Sequence, residues 1–290
     1  MEKSKLNICG LAIHKTLAYS AVFKYPLSFH QLCANLISKN RFGGKQIRKE
    51  LKKQEKEGAI TKYKGRYHLA SITPVDWEER KKVTNKLIRH NRWVFELLEK
   101  IPWIKMVSIT GSAANYNMEE KADIDLMFIT SKKRLWLTRG FVFLILKILN
   151  KLPKDHKNRE LCPNIFIDES SLGWIKKRRN LYVAQNIISM QPIFDKDEMY
   201  FRFMSANKWV KDYYYNFKLN LPEKFTPVKS SKSILINLIE KLAMSLQINY
   251  MKNKMTTEIA TSKLIHFNKN DNSRWILVSF KKLLKLKTTV

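Results

Sequence analysis

Apolar residues recur at helical spacing over residues 11–23, and the run closes at Tyr25-Pro26, because a residue ahead of proline is pushed out of the helical region. Ser28-Phe29-His30-Gln31 then fits a capping box, in which the serine hydroxyl and the glutamine side chain satisfy free backbone donors reciprocally, leading into Leu32, Leu36 and Ile37. Gly43-Gly44 ends that unit. Residues 45–57 predict a third, very polar helix, with Ile47 and Leu51 four apart on one face and Gly58 placed as a C-terminal cap. Alternation over 60–63 and 66–69 around Lys64-Gly65 predicts a tight hairpin. A charged helix over 76–100 follows, with Val83, Leu87, Val94, Leu97 and Leu98 toward a core and Pro102 as its stop.

The pattern then changes period. Residues 106–110 form a short apolar strand, Gly111-Ser112 a turn, and Asp123-Ile124-Asp125 opens another apolar strand running to Ile129. Residues 163–169 are strand-like and end in two acids. Beyond residue 200 the spacing is helical, including 233–251, whose stripe of Leu235, Ile236, Leu238, Ile239 and Leu242 is assigned to core packing, and a final amphipathic helix over 275–286. Three helices followed by a small hairpin is the order of a winged helix. Its third helix would offer Lys45, Arg48, Lys49, Lys52 and Lys53 to the phosphates and bases of a major groove. The other reading is that this module only packs on the rest of the chain or on a protein partner.

Composition adds a field to this outline. The 290 residues carry 55 Lys and Arg against 25 Asp and Glu, a formal net charge of +30, and such a surface concentrates polyanions. With 44% apolar residues the chain has enough to fill its cores, which excludes disorder as a whole. Cys9, Cys33 and Cys162 are odd in number and form no C-x-x-C pair, so neither a disulfide framework nor a zinc knuckle is expected. No apolar stretch approaches the roughly 20 residues of a membrane helix. The expectation is a soluble cytoplasmic protein, with no membrane partner.

The chemistry concentrates in residues 106–129. Alternate side chains of a strand share a face, so Asp123 and Asp125 project together while Ile124, Leu126 and Phe128 face a core. Two carboxylates side by side call for a cation, and magnesium takes hard oxygen ligands while leaving positions for substrate phosphates. A pair of such ions clamps the attacking and leaving oxygens of an in-line displacement. The Gly-Ser turn supplies the other half: glycine lets backbone approach a phosphate closely, and Ser112 adds a hydroxyl.

A Gly-Ser pair, ten residues, then Asp-Ile-Asp with apolar flanks resembles the signature of the DNA polymerase β-like nucleotidyltransferase superfamily. The resemblance covers about 25 residues by motif. It implies that Gly111 and Ser112 hold a triphosphate, that Asp123 and Asp125 bind a two-ion magnesium site that manganese can also fill, and that a third carboxylate on a later strand helps activate an acceptor hydroxyl. Smaller bacterial members commonly carry an arginine soon after the Gly-Ser pair, where this chain has Ala113, Ala114, Asn115 and Tyr116. For the third carboxylate the candidates are Asp168 and Glu169, between which strand parity does not choose, ahead of Asp195, Asp197 and Glu198. Lys132, Arg134 and Arg139, with Lys133, follow the aspartate strand and are candidates to bind the nucleotide's phosphates. The expected architecture is α+β: a winged-helix-like domain (1–72), a linker helix (73–100), a nucleotidyltransferase-fold mixed β-sheet core (101–200) and a helical C-terminal region (201–290). The expected reaction moves a nucleoside monophosphate from a nucleoside triphosphate, ATP by abundance, to an unidentified acceptor, with RNA or DNA as a further partner. The rival expectations are a winged-helix nucleic-acid-binding regulator, or an antitoxin-like protein, whose transferase domain senses nucleotide or is inert.

Overall fold

The computed structural model describes residues 7–153, 161–218, 221–222, 224–225, 233–254, 258–266 and 272–285. The chain folds as α+β around a mixed sheet.

The first module is α1 (Ile8–Ala21), α2 (Phe29–Ala34), α3 (Gly44–Lys56) and a hairpin of β1 (Ile60–Tyr63) and β2 (Arg66–Leu69). Local signals account for its boundaries. Asn7 accepts the Gly10 amide at the start of α1, and the Ser28–Gln31 capping box forms as the sequence predicts. Lys64 and Gly65 both take positive φ, so the hairpin turns in the primed geometry that matches strand twist. A single bridge, Leu27 to Tyr67, lays the segment between α1 and α2 along the hairpin. Ile13, Leu17, Leu32, Leu36, Ile47, Leu51 and Ile60 are fully buried between these elements.

The helix expected over 76–100 is two helices, α4 (Trp77–His90) and α5 (Arg92–Glu99). Asn91 breaks it: its buried side chain donates to the Leu87 carbonyl, and the chain turns so that Val83, Leu87, Val94 and Leu98 all reach one core. There follow β3 (Ile104–Ile109), a single turn α6 (Gly111–Ala114), β4 (Ile124–Thr130), α7 (Leu135–Ile148) and β5 (Leu161–Asp168). After these come α8 (Leu181–Ser189), β6 (Gln191–Asp195), α9 (Met199–Ala206), α10 (Ile234–Met251), β7 (Ile259–Ala260), β8 (Leu264–His266) and α11 (Asn272–Lys285). The sheet runs β6-β3-β4-β5-β8-β7; β4 and β5 are parallel and every other neighbouring pair is antiparallel. Residues 259–266 thus extend the sheet, where the sequence pattern gave helices alone. Residue 286, the expected end of the last helix, lies outside the described residues.

Each face of the sheet has its own core. Ile124, Leu126 and Phe128 point toward α4, α5, α7 and α10, while Met127 and Ile129 point toward α8, α9, α11 and the first module. Helix α11 lies between α1 and α8, its Phe280 ring edge-on to Tyr19 at 5.7 Å between centroids. It fastens the first module to the sheet. Among the described residues no helix is long and apolar enough to cross a membrane.

The stripe on α10 departs from expectation. Leu235, Leu238 and Leu242 are 67%, 58% and 59% exposed, whereas Glu240, Gln247 and Met251 face α7. The mixed face packs, and the apolar face stays open.

Candidate active site

Strand β3 delivers the chain to Thr110, whose amide donates to the Asp125 carbonyl at 2.9 Å and aligns the Gly-Ser turn with the start of β4. Gly111 takes φ +65°, a left-handed conformation natural to glycine. A Cβ built there would stand 2.6 Å from Asp125 Oδ2, so only a glycine allows this approach of backbone and carboxylate without displacement. Asn115 closes the turn by donating from Nδ2 to the Gly111 carbonyl at 2.9 Å.

Asp123 and Asp125 stand at alternate positions with Ile124 buried between them. Burial, with the adjacent Asp123 charge, pushes the Asp125 carboxyl up to about 7, and Asn164 partly opposes the rise by donating from Nδ2 to Asp125 Oδ1. Burial and the two carboxylates push the Cys162 thiol up to about 12, which keeps it protonated beside them.

The β4–β5 register separates the candidates for a third carboxylate from Asp125. Asp125 pairs with Cys162 and Thr130 with Asp168, so Asp168 and Glu169 lie at the other end of the strands, roughly 16 Å from Asp125 at about 3.3 Å per residue. There they hold backbone: Asp168 accepts the amides of Lys133 at 2.6 Å and Ser170 at 2.8 Å, and Glu169 accepts that of Lys132 at 2.9 Å. Asp195 is at that same end, opposite Met106, and Asp197 pairs with Lys105. The β5 side chain that bonds Asp125 is that of Asn164, two residues beyond its strand partner Cys162. Among the described residues no cluster of three His, Cys, Asp or Glu forms.

The basic candidates after β4 are carried away by the same geometry. Lys132 and Lys133 follow its far end. Arg134 is buried and donates to Asn237 at 2.8 Å, and Arg139 is buried against the Phe143 ring and donates to Gln247 and Met251 of α10. These two arginines join α7 to α10. On α3, by contrast, Lys45, Arg48, Lys49, Lys52 and Lys53 are all exposed, with Arg48 stacked 4.1 Å over the Phe29 ring.

Two cavities meet at the Gly-Ser turn, sharing Gly111, Asp125, Tyr182, Asn186 and Asn272. The larger, about 310 Å³, extends toward the first module between α1, α2, α8 and α11 and includes Ser112. The smaller, about 150 Å³, runs along β5 and β8 past Asn164, Trp174 and His266. Among the described residues, neither is lined by lysine or arginine. An open depression of about 440 Å³ on α4, lined by Lys82, Lys86, Arg89 and His90, includes neither aspartate.

Sequence reading missed the α8 contribution, Tyr182, Gln185 and Asn186. Its signal was present: those three share one face of a helix whose other positions, Leu181, Ala184, Ile187 and Ile188, are buried. A polar spot on an apolar helix marks a wall of a cavity.

No protein-family model matches this chain, and no curated protein matches it.

Proposed function

We propose that the chain is a metal-dependent nucleotidyltransferase, with an N-terminal winged helix set against a nucleotidyltransferase-fold core. The observation that carries this reading is the 2.6 Å approach between the site of a Gly111 Cβ and Asp125 Oδ2, which makes the turn and the aspartate pair one unit. The first turn of α6 leaves backbone amides without intrahelical partners, and with the Ser112 hydroxyl they suit a triphosphate.

Asp123 and Asp125 fit one hard divalent cation that also takes phosphate oxygens, magnesium or manganese. Bound there, it would neutralise charge developing on the phosphoryl oxygens. Asp125 gains from it in turn, since its ionised form is otherwise opposed by burial and by Asp123. Asn164 orients Asp125 but cannot take a proton from an acceptor. The second ion of the sequence-based expectation has no further acidic cluster among the described residues to hold it. In the transfer, the acceptor oxygen bonds to the α-phosphorus as the α–β bridging bond breaks, pyrophosphate leaves, and the acceptor proton passes to water.

Two observations favour a second reading. Asn164 stands where a proton-accepting carboxylate would serve, and α3 presents a basic outer face, as suits a nucleic-acid-binding regulator whose core senses nucleotide. Incubation with magnesium and each labelled nucleoside triphosphate, with and without total RNA, separates the two. Pyrophosphate release abolished by Asp123→Asn with Asp125→Asn supports the transferase. No release under any condition, with duplex DNA binding that survives Asp123→Asn, supports the regulator.

A further inference from the structure

We infer that the first module supplies one wall of the donor site, and that the adenine nucleoside of the triphosphate lies in the larger cavity between that module and α8. The inference rests on the nucleotidyltransferase reading and extends it to residues outside the catalytic core.

Position comes first. Of the two cavities that meet at Gly111 and Asp125, only the larger includes Ser112, so it is the one that reaches both residues of the turn assigned to the phosphates. The smaller runs past Asn164 on β5, on the opposite side of Asp125. Size agrees. Sites that enclose ring-bearing ligands run from about 300 Å³ upward, a range the cavity of about 310 Å³ enters and the one of about 150 Å³ does not.

Lining chemistry then names the ligand. Tyr19 and Tyr25 from the module, Tyr182 from α8 and Trp275 from α11 provide aromatic surfaces, and every base has a π-face to stack on such rings. Asn35 on the module side and Gln185 on α8 bring carboxamides, which pair a donor with an acceptor in one plane, as the N6 and N7 edge of adenine does. Neither carboxamide is spent on a hydrogen bond to a described residue. In a chain of net charge +30, a lining without lysine or arginine among the described residues suits the uncharged part of a nucleotide and not its phosphates.

Photolabelling of the full chain with 8-azidoadenosine triphosphate and magnesium, followed by peptide mapping, tests the assignment. The expected result is label that ATP competes away, on peptides containing Tyr19 to Tyr25 or Tyr182. Competable label on the Trp174 or His266 peptides overturns the inference and leaves the transferase reading standing, whereas no competable label overturns both. Calorimetry gives a second readout. Gln185→Leu, and separately Asn35→Ala, should weaken magnesium-ATP binding about tenfold and leave magnesium-pyrophosphate binding unchanged. Equal loss for both ligands, or loss for neither, overturns it.

Discussion

An alanine at Gly111 would carry its methyl carbon to within 2.6 Å of Asp125 Oδ2 on a backbone at φ +65°. The left-handed conformation alone costs a side-chain-bearing residue about 1–2 kcal/mol, and Asp125 must also move away. Since a misplacement of about 1 Å in a reacting geometry costs on the order of 100-fold, Gly111→Ala should lower pyrophosphate release by about that factor while the protein stays folded. Steady-state kinetics and a melting curve measured side by side check both halves. At this scale the sequence was most legible. A strand alternates by rule, so Asp125 follows the buried Ile124 at the start of β4, with Asp123 one residue ahead of the strand, and a Gly-Ser pair is local chemistry. Asn164 was not legible, because its place beside Asp125 depends on the register of a parallel pair joined through α7, and that register is set by packing, not by spacing.

Elements show what alternation and periodicity leave open. Helix α10 carries two stripes at helical spacing, and the more apolar one faces outward. The buried one includes Glu240, whose carboxylate accepts the Trp136 and Leu137 amides at 2.8 and 3.0 Å and so caps the start of α7. Glu240→Ala leaves those two buried donors without their acceptor and should destabilise the fold by roughly 1–3 kcal/mol. Glu240→Gln should lose less, because it keeps an acceptor and burial already raises the Glu240 carboxyl above its ordinary range. Denaturant titration of the two variants ranks them. The basic residues after β4 teach a related lesson. Lys132, Arg134 and Arg139 are near the aspartates in sequence, but a strand of seven residues carries them to the far end of the sheet. The helices and hairpin of the first module, whose caps and turns are local, followed their sequence signals closely; beyond it the exception is Asn91, where two segments of one periodic pattern, α4 and α5, bend toward a shared core.

Across the whole molecule, the excess of positive charge was plain from composition, and what it implies is testable on α3. Lys45→Glu, Lys49→Glu and Lys52→Glu together should weaken duplex DNA binding by on the order of 100-fold at low salt and flatten its salt dependence, since each phosphate contact contributes close to one unit of slope. Nucleotide chemistry should be unaffected, because α3 lines neither cavity. Fluorescence anisotropy across a salt series reads the first effect and pyrophosphate release the second; unchanged DNA binding would place the field's partner elsewhere. What composition could not convey was the docking of the module, to which α11 contributes by reaching between α1 and α8 and Tyr214 by pairing with Ser38. That arrangement has a consequence for synthesis. On the ribosome the module emerges first and the paired aspartates next, yet α11, one of the elements that fasten the module, is translated only after the last strand of the sheet. A nascent chain stalled before α11 would hold the module through the earlier pairing of Ser38 with Tyr214 and the Asn216 hydrogen bonds to Cys33 and Phe42, while the order of translation itself delays closure of the cleft wall that α11 provides until nearly every other described element is in place.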